Sequence, residues 1–507
     1  MHGLSFDEGV TAFPSVSYIQ TRRVLAGLLQ RFQWIALLAA LVVGARAETL
    51  LVKDAMLITM KRGQEKPFVG YFRVGDNGRI SHLAEGAPPA GLAADRTIDA
   101  RGKLIGPGFI SGHSQIYMSP LRGLATDQTL YGWVKGFGAF TDRATAEDLY
   151  WFTLHGSIDF LRNGITTAYD FTHSGAVAVP AVGVNEAVPA PVLKPGPYEE
   201  NQIRGKADAG LRFSNSVGLP EFGTHEEVLA RLKSLIAWAQ DHYGKNPLFL
   251  KMAISGGLQR APTKATADLE VKAMRSHGLI NQAHFLESPE RVTEQQVKFD
   301  WYEESGALGP DFIFGHFIQT TPDIVRRAAR AGAHMCWQPT SNSRLASGVA
   351  DIPLYEAMGM KVAVGLDDQS CTDISDPFQN LRMGMALIRT KYKSATAMSV
   401  YHMLYLHTLS SAEVLGIAKD VGSLEVGKFA DFLVVDPRDP DTGPVHDAVA
   451  TYVLACGLRN LQEVYVGGQR VIHGLRAVKQ DEAALRREID TRITRLAAEA
   501  GRTLDLP

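Results

Sequence analysis

Apolar and polar positions change period several times along this chain, and each change marks an element. Residues 50–60 (LLVKDAMLITM) and 68–83 (FVGYFRVGDNGRISHL) carry short apolar runs of strand character, with Asp76-Asn77-Gly78 as a hairpin turn inside the second. Near the other end, residues 427–436 (GKFADFLVVD) read as a turn and strand, and residues 463–471 as another hairpin. Between these ends the pattern alternates. Residues 147–163 repeat apolar side chains at helical spacing and stop at Asn163-Gly164. Residues 165–169, 248–254, 279–284, 312–316, 334–338 and 361–367 are strand-like, and helical segments separate most of them. Strand–helix alternation at this spacing predicts an α/β chain whose middle is a parallel (β/α)8 barrel. The two β-rich ends predict one small β domain built from both termini.

Three segments break the pattern. Residues 176–198 are rich in Pro and Ala and predict an extended loop over the barrel mouth. Residues 481–504 form an amphipathic helix with a charged face, expected to pack on the β domain. At the start, Arg22, Arg23 and Arg31 precede an apolar run at 34–43 and the small-x-small triplet Ala45-Arg46-Ala47. That order predicts a secretory signal, with the mature chain beginning near Glu48 and residing in the periplasm or outside the cell. The apolar run is short for a membrane span, so no stable insertion is expected after signal removal. Thr21-Arg22-Arg23-Val24-Leu25 resembles a twin-arginine export signal, a route that lets a protein fold around its metal before export. The expected division is therefore signal 1–47, β domain 48–107 and 424–475, barrel 108–423, and C-terminal helix 476–507.

Composition narrows the function. A chain of 507 residues suits a barrel with an added module, and 45% hydrophobic residues suffice for a large core. A net charge of −2 argues against nucleic acid as a partner and leaves a small molecule as the expected ligand, with a homo-oligomer possible. Cys336, Cys371 and Cys456 are odd in number and scattered, which fits neither a disulfide framework nor a thiolate metal site.

Candidate chemistry sits where predicted strands end. In residues 106–115 (GPGFISGHSQ) an apolar run meets Gly and Pro, then a second apolar pair, then His113, which reads as a strand delivering a polar side chain into a cleft. Further on stand Asn281-Gln282-Ala283-His284-Phe285-Leu286-Glu287, Phe314-Gly315-His316 and Val364-Gly365-Leu366-Asp367-Asp368. Residues 338–348 (QPTSNSRLASG) and 118–123 (MSPLRG) complete the set. Together these resemble the amidohydrolase superfamily, in particular its metal-dependent deaminase and chlorohydrolase branch. The first stretch is similar to the family's P-G-F-I/V-N/D-x-H-x-H strand, the second to its H-x-x-E element, and residues 338–348 to its P-x-S-N-x-x-L-x-S-G signature. The resemblance covers nearly all of residues 50–475 and implies a barrel inserted into a β-sandwich.

It also implies roles. His113, His284 and Asp367 ligate one divalent metal, with Zn²⁺ the expected ion and Fe²⁺ or a harder ion the alternative. Metal-activated water attacks the substrate, Asp367 takes its proton, Glu287 passes a proton to the leaving nitrogen, and His316 polarises the group under attack. Gln115 stands where the family carries its second histidine. Its amide oxygen is a weaker donor than imidazole, and three outcomes are open: Gln115 ligates through oxygen, His173 or His316 fills the place, or the metal is lost. His173 is also a candidate substrate contact. Structural roles are expected for Ser341-Asn342, His402 and His407, and a loop-anchoring role for Arg122.

The expected activity is hydrolysis at a carbon bearing nitrogen, either deamination of an N-heterocycle or opening of a cyclic amide. The alternatives are a lyase or isomerase on the same fold with little or no metal, and an inactive binding protein.

Overall fold

Two sheets divide the chain, and the crossing between them is at Gly108. The computed structural model describes residues 48–174, 197–219 and 224–505. The expected export segment and residues 176–196 of the Pro-rich insert lie outside the described residues. Pro197 and Tyr198, expected in that insert, instead open the helix Pro197–Ala209. Among the described residues no helix is long and apolar enough to cross a membrane.

Strands β1 (Leu50–Leu57), β2 (Phe68–Val74), β3 (Ile80–Glu85), β4 (Arg96–Asp99) and β5 (Leu104–Pro107) come from the N-terminal part of the chain. The barrel follows: β6 (Phe109–Ser114), β7 (Ile165–Phe171), β8 (Arg212–Gly218), β9 (Phe249–Gly256), β10 (Asn281–Phe285), β11 (Phe312–His316), β12 (His334–Trp337) and β13 (Val362–Val364). The chain then returns to the first sheet with β14 (Phe432–Val435), β15 (Leu461–Val466), β16 (Gln469–His473) and β17 (Arg476–Ala477). The two ends meet where β5 pairs antiparallel with β14, making one nine-stranded sheet. The sheet has its own core, in which Phe432 meets Phe72 edge-on at 5.0 Å and stacks on Tyr465 at 4.3 Å. Residues 104–114 read as one strand by hydrophobicity, yet they serve both sheets. Gly108 permits the crossing, because a Cβ there would lie 2.0 Å from Thr166 Oγ1.

The eight barrel strands run in sequence order, each parallel to the next. Between β13 and β6 the seam is drawn shut just past the end of β13, where Asp367 N–H donates to His113 O at 2.9 Å and Leu366 N–H to Ser111 Oγ at 3.0 Å. Strand β8 is the one whose periodicity gave no warning. Its sequence RFSNSVG places Ser214, Asn215 and Ser216 in full burial. Two of their polar atoms find partners on other elements: Ser216 Oγ bonds Ser255 Oγ at 2.7 Å, and Asn215 Oδ1 accepts from the buried Lys206 ammonium at 2.8 Å. Lys206 also pairs with Asp170 on β7.

The C-terminal helix, Glu482–Glu499, docks differently from expectation. Its charged face lies on the barrel helix Ala146–Arg162, where Arg492 reaches the buried Asp148 carboxylate at 3.0 Å and Arg495 bonds its other oxygen. A carboxylate with no exposure needs cations close by, and the same helix buries Leu485, Ile489, Leu496 and Ala497 in the main apolar core.

One buried ion pair clamps barrel to sheet. Arg212, at the start of β8, forks onto Asp431 before β14 at 2.7 and 2.9 Å, with 1% and 4% of the two side chains exposed. Asp431→Ala leaves the guanidinium buried without its counter-ion and should cost about 3–5 kcal/mol. A urea midpoint unchanged from the parent would show that the clamp is not needed.

Candidate active site

Backbone strain gathers where the barrel strands end. Leu286, His316 and Asp367 adopt φ of 53°, 66° and 67°, a left-handed conformation that costs an L-residue about 1–2 kcal/mol. Tertiary hydrogen bonds hold these turns: His316 N–H donates to Gln338 Oε1 at 3.0 Å, and Ile318 N–H to Leu286 O at 2.9 Å. At the end of β6 the register with β7 slips between Ser111 and Ser114, so the strand bulges as His113 enters the interior.

His113 is seated by what is missing around it. A Cβ at Gly315 would come within 2.9 Å of its ring, and one at Gly365 within 2.7 Å of its own Cβ. The ring also packs 4.4 Å from Phe171. Its tautomer follows from a neighbour two residues before His284. Gln282 Nε2 donates to Gly112 O at 2.9 Å, so Gln282 Oε1 is the acceptor for His113 Nδ1–H at 2.6 Å. Nε2 therefore carries the lone pair and faces His284 Nε2 at 3.1 Å. Burial pushes His113 down to about 3, against the opposing bond from Gln282. His284 is held well below the ordinary imidazole range by burial and by His113 and His316.

Asp367 lies beside them, with Oδ1 at 3.7 Å from His113 Nε2. Burial raises its carboxyl above the usual range, and the Ser341 hydroxyl, donating to Oδ2 at 2.6 Å, opposes the rise. Gln115 reaches the same group; its amide nitrogen is 3.4 Å from His284 Nε2. Glu287 is buried against this set, and burial together with Asp367 pushes its carboxyl well above the ordinary value. His316 has a settled tautomer as well. Asn342 Nδ2 donates to its Nδ1 at 2.8 Å, so Nε2 carries the proton. That N–H is buried without a hydrogen-bond partner among the described residues and stands 3.7 Å from Glu287 and 3.9 Å from Asp367.

The donor atoms of His113, His284, His316 and Asp367 lie within 4.8 Å of one another. Neutral imidazole nitrogens converging at 3.1 Å with a carboxylate alongside is an arrangement that a divalent cation satisfies. The set therefore fits a metal through His113, His284 and Asp367, while the N–H at His316 Nε2 fits a hydrogen-bond donor better than a ligand.

A cleft of about 790 Å³, counting the solvent open at its mouth, leads to this cluster. Gln115, His173, His284, Glu287, His316 and Asp367 all line it. His173 stands on its wall with its ring 5.2 Å from Tyr117. The sequence reading missed the rest of the wall: Tyr117, the apolar face of the helix Leu130–Thr141 with Trp133 and Phe137, Arg260 and Cys371. Cys371 lies close to Asp367 and Asp368, but burial and these carboxylates push its thiol well up, so it stays protonated. The Ser341-Asn342 pair, expected to shape a loop, orients Asp367 and His316 directly. His407 bonds Ile110 O and Asn380, His402 pairs with Glu356, and Arg122 ties Ser119 O to Asp159, all away from the cleft.

Residues 104–471 match the model of the amidohydrolase family. The chain is 24% identical over 426 residues to a 5-methylthioadenosine/S-adenosylhomocysteine deaminase of Bacillus cereus, covering 83% of this chain and 93% of that one. A deaminase of the same name from Syntrophobacter fumaroxidans is 28% identical over 465 residues, covering 88% and 96%. Among solved structures, an adenosine deaminase from Xanthomonas campestris with bound zinc superposes with a TM-score of 0.75 at 21% identity, covering 89% and 98%. A variant of atrazine chlorohydrolase from Arthrobacter aurescens, complexed with zinc and atraton, gives 0.75 at 19% identity, covering 88% and 100%.

Proposed function

The chain belongs to the amidohydrolase family, hydrolases of carbon–nitrogen bonds other than peptide bonds, and from that premise we propose that it is an exported, metal-dependent enzyme that deaminates an N-heterocycle or opens a cyclic amide. The observation that carries the reading is the convergence of His113, His284 and Asp367 beside a buried Glu287 and the free Nε2–H of His316. His113, His284 and Asp367 hold one divalent ion, with zinc first because two of the three donors are imidazole nitrogens. The ion supplies Lewis-acid activation of water.

The side chains do the rest. Gln282 keeps His113 Nε2 deprotonated, and Ser341 fixes the rotation of Asp367. Asp367 receives the nucleophile's proton through Oδ1 or Oδ2. Glu287, whose burial favours the protonated carboxyl, gives a proton to the departing nitrogen. His316, fixed by Asn342, donates Nε2–H to the ring nitrogen or carbonyl of the substrate and stabilises charge as the attack proceeds. Gln115 completes the cluster: turning its amide end for end brings Oε1 to the face of His284 now met by the nitrogen.

A panel of N-heterocycles and cyclic amides, assayed with zinc-reconstituted protein for ammonia or acid release, tests the reading. Export is tested separately. Protein from the native host should begin near Glu48 when its N-terminus is sequenced, and a full-length cytoplasmic product would remove export.

A further inference from the structure

Among the described residues that line the cleft, Arg260 is the lone lysine or arginine. It ends a short turn, Leu258–Arg260, just past β9 on the face of the barrel where the strands end. That turn is rigidly held. Gly257 N–H donates to Glu270 at 2.7 Å, the buried Lys298 ammonium donates to Gln259 O at 3.0 Å, and Arg260 N–H donates to Gly257 O at 3.0 Å. Leu258 and Gln259 are buried while Arg260 is exposed. The backbone is thus anchored, and the guanidinium stands in the cleft with no hydrogen bond or ion pair among the described residues. Among the described residues no acid of the same wall is paired with it: Asp367 faces the imidazoles, and Glu287 is buried deeper. Arg260 shares the cleft with Tyr117, Trp133 and Phe137 on one side and with His284, Glu287 and His316 on the other, so it lies near both the aromatic wall and the reacting end.

We propose that Arg260 receives an anionic arm of the substrate, a carboxylate or a phosphate, while the heterocycle lies between the Tyr117, Trp133 and Phe137 wall and the metal cluster. An unpaired guanidinium on an anchored turn binds such an oxyanion through charge-assisted, often bidentate hydrogen bonds. This inference rests on the proposed hydrolase reading for the orientation of the ring.

The test uses a matched set: adenosine, adenosine 5′-carboxylate and adenosine 5′-monophosphate. Binding to zinc-loaded Glu287→Gln protein is measured by calorimetry, with and without Arg260→Gln, and ammonia release by the native holoenzyme is followed in parallel. At least one anionic member should bind about ten- to a hundredfold tighter than adenosine. That advantage should shrink in high salt, vanish in Arg260→Gln and return in part in Arg260→Lys. Which of the two anions gains more identifies the arm. Equal binding of all three, equal weakening of all three by Arg260→Gln, or no binding at all would overturn the proposal. Arg260-dependent anion binding without ammonia release would keep it and leave the hydrolase reading to the wider panel of N-heterocycles and cyclic amides. Ammonia release indifferent to Arg260 would overturn the proposal and keep the hydrolase reading.

Discussion

Glu287→Gln should lower turnover by about 100- to 10,000-fold while the protein stays folded and keeps its metal, the usual cost of losing a general acid–base group. The substitution is nearly isosteric, and the side chain is buried with no ion pair to arginine or lysine among the described residues, so the fold has little reason to respond. The loss should fall on kcat more than on KM, because a proton delivered to the leaving nitrogen matters in the transition state. A pH profile adds a second readout. Burial and Asp367 raise this carboxyl well above its ordinary range, so its acid form is populated at low pH and is lost as pH rises through the raised value. The native enzyme should therefore lose kcat/KM on the alkaline side, and in Glu287→Gln that limb should flatten. Near-native turnover in a folded, metal-loaded variant would take Glu287 out of the chemistry.

Removing the metal should abolish activity, and zinc should restore it. Purified protein should hold about one divalent ion per chain through His113, His284 and Asp367. Gln115→His should tighten zinc binding, since imidazole nitrogen is the better donor to zinc and the side chain already points at His284. Activity need not rise with affinity, because a fourth strong donor competes with water and substrate for the open position that catalysis requires. Metal analysis of both proteins, paired with activity after chelation, decides the matter. A native protein free of metal and indifferent to chelators would sink the hydrolytic mechanism and favour a lyase or isomerase reaction on the same fold.

The division between what the chain announces and what folding adds follows the range of the interactions. Period-two and period-3.6 patterns are local, so most barrel strands, the hairpins at both ends and the helix Ala146–Arg162 were legible without coordinates. So was the placement of His113, His284, His316 and Asp367 at strand ends, since each follows an apolar run and a turn. Strand β8 escaped because Ser214, Asn215 and Ser216 are buried polar residues, and the groups that meet Ser216 Oγ and Asn215 Oδ1, Ser255 and Lys206, stand on other elements. The C-terminal helix showed its charged face but not its target, which is a buried carboxylate some 340 residues earlier in the chain. The same limit applies to the chemistry. Gln282 sits two residues before His284, yet its use is to set the tautomer of His113, 169 residues away. Asn342 belongs to a recognisable motif, but that it leaves His316 a free Nε2–H is a matter of one 2.8 Å contact. The sequence by itself determined which donors stand at the barrel mouth and in what order. Only the tertiary structure decided which nitrogen carries the proton, which carboxyl is raised, and that an unpaired Arg260 shares the cleft, because these properties depend on burial and on neighbours that the linear chain keeps apart.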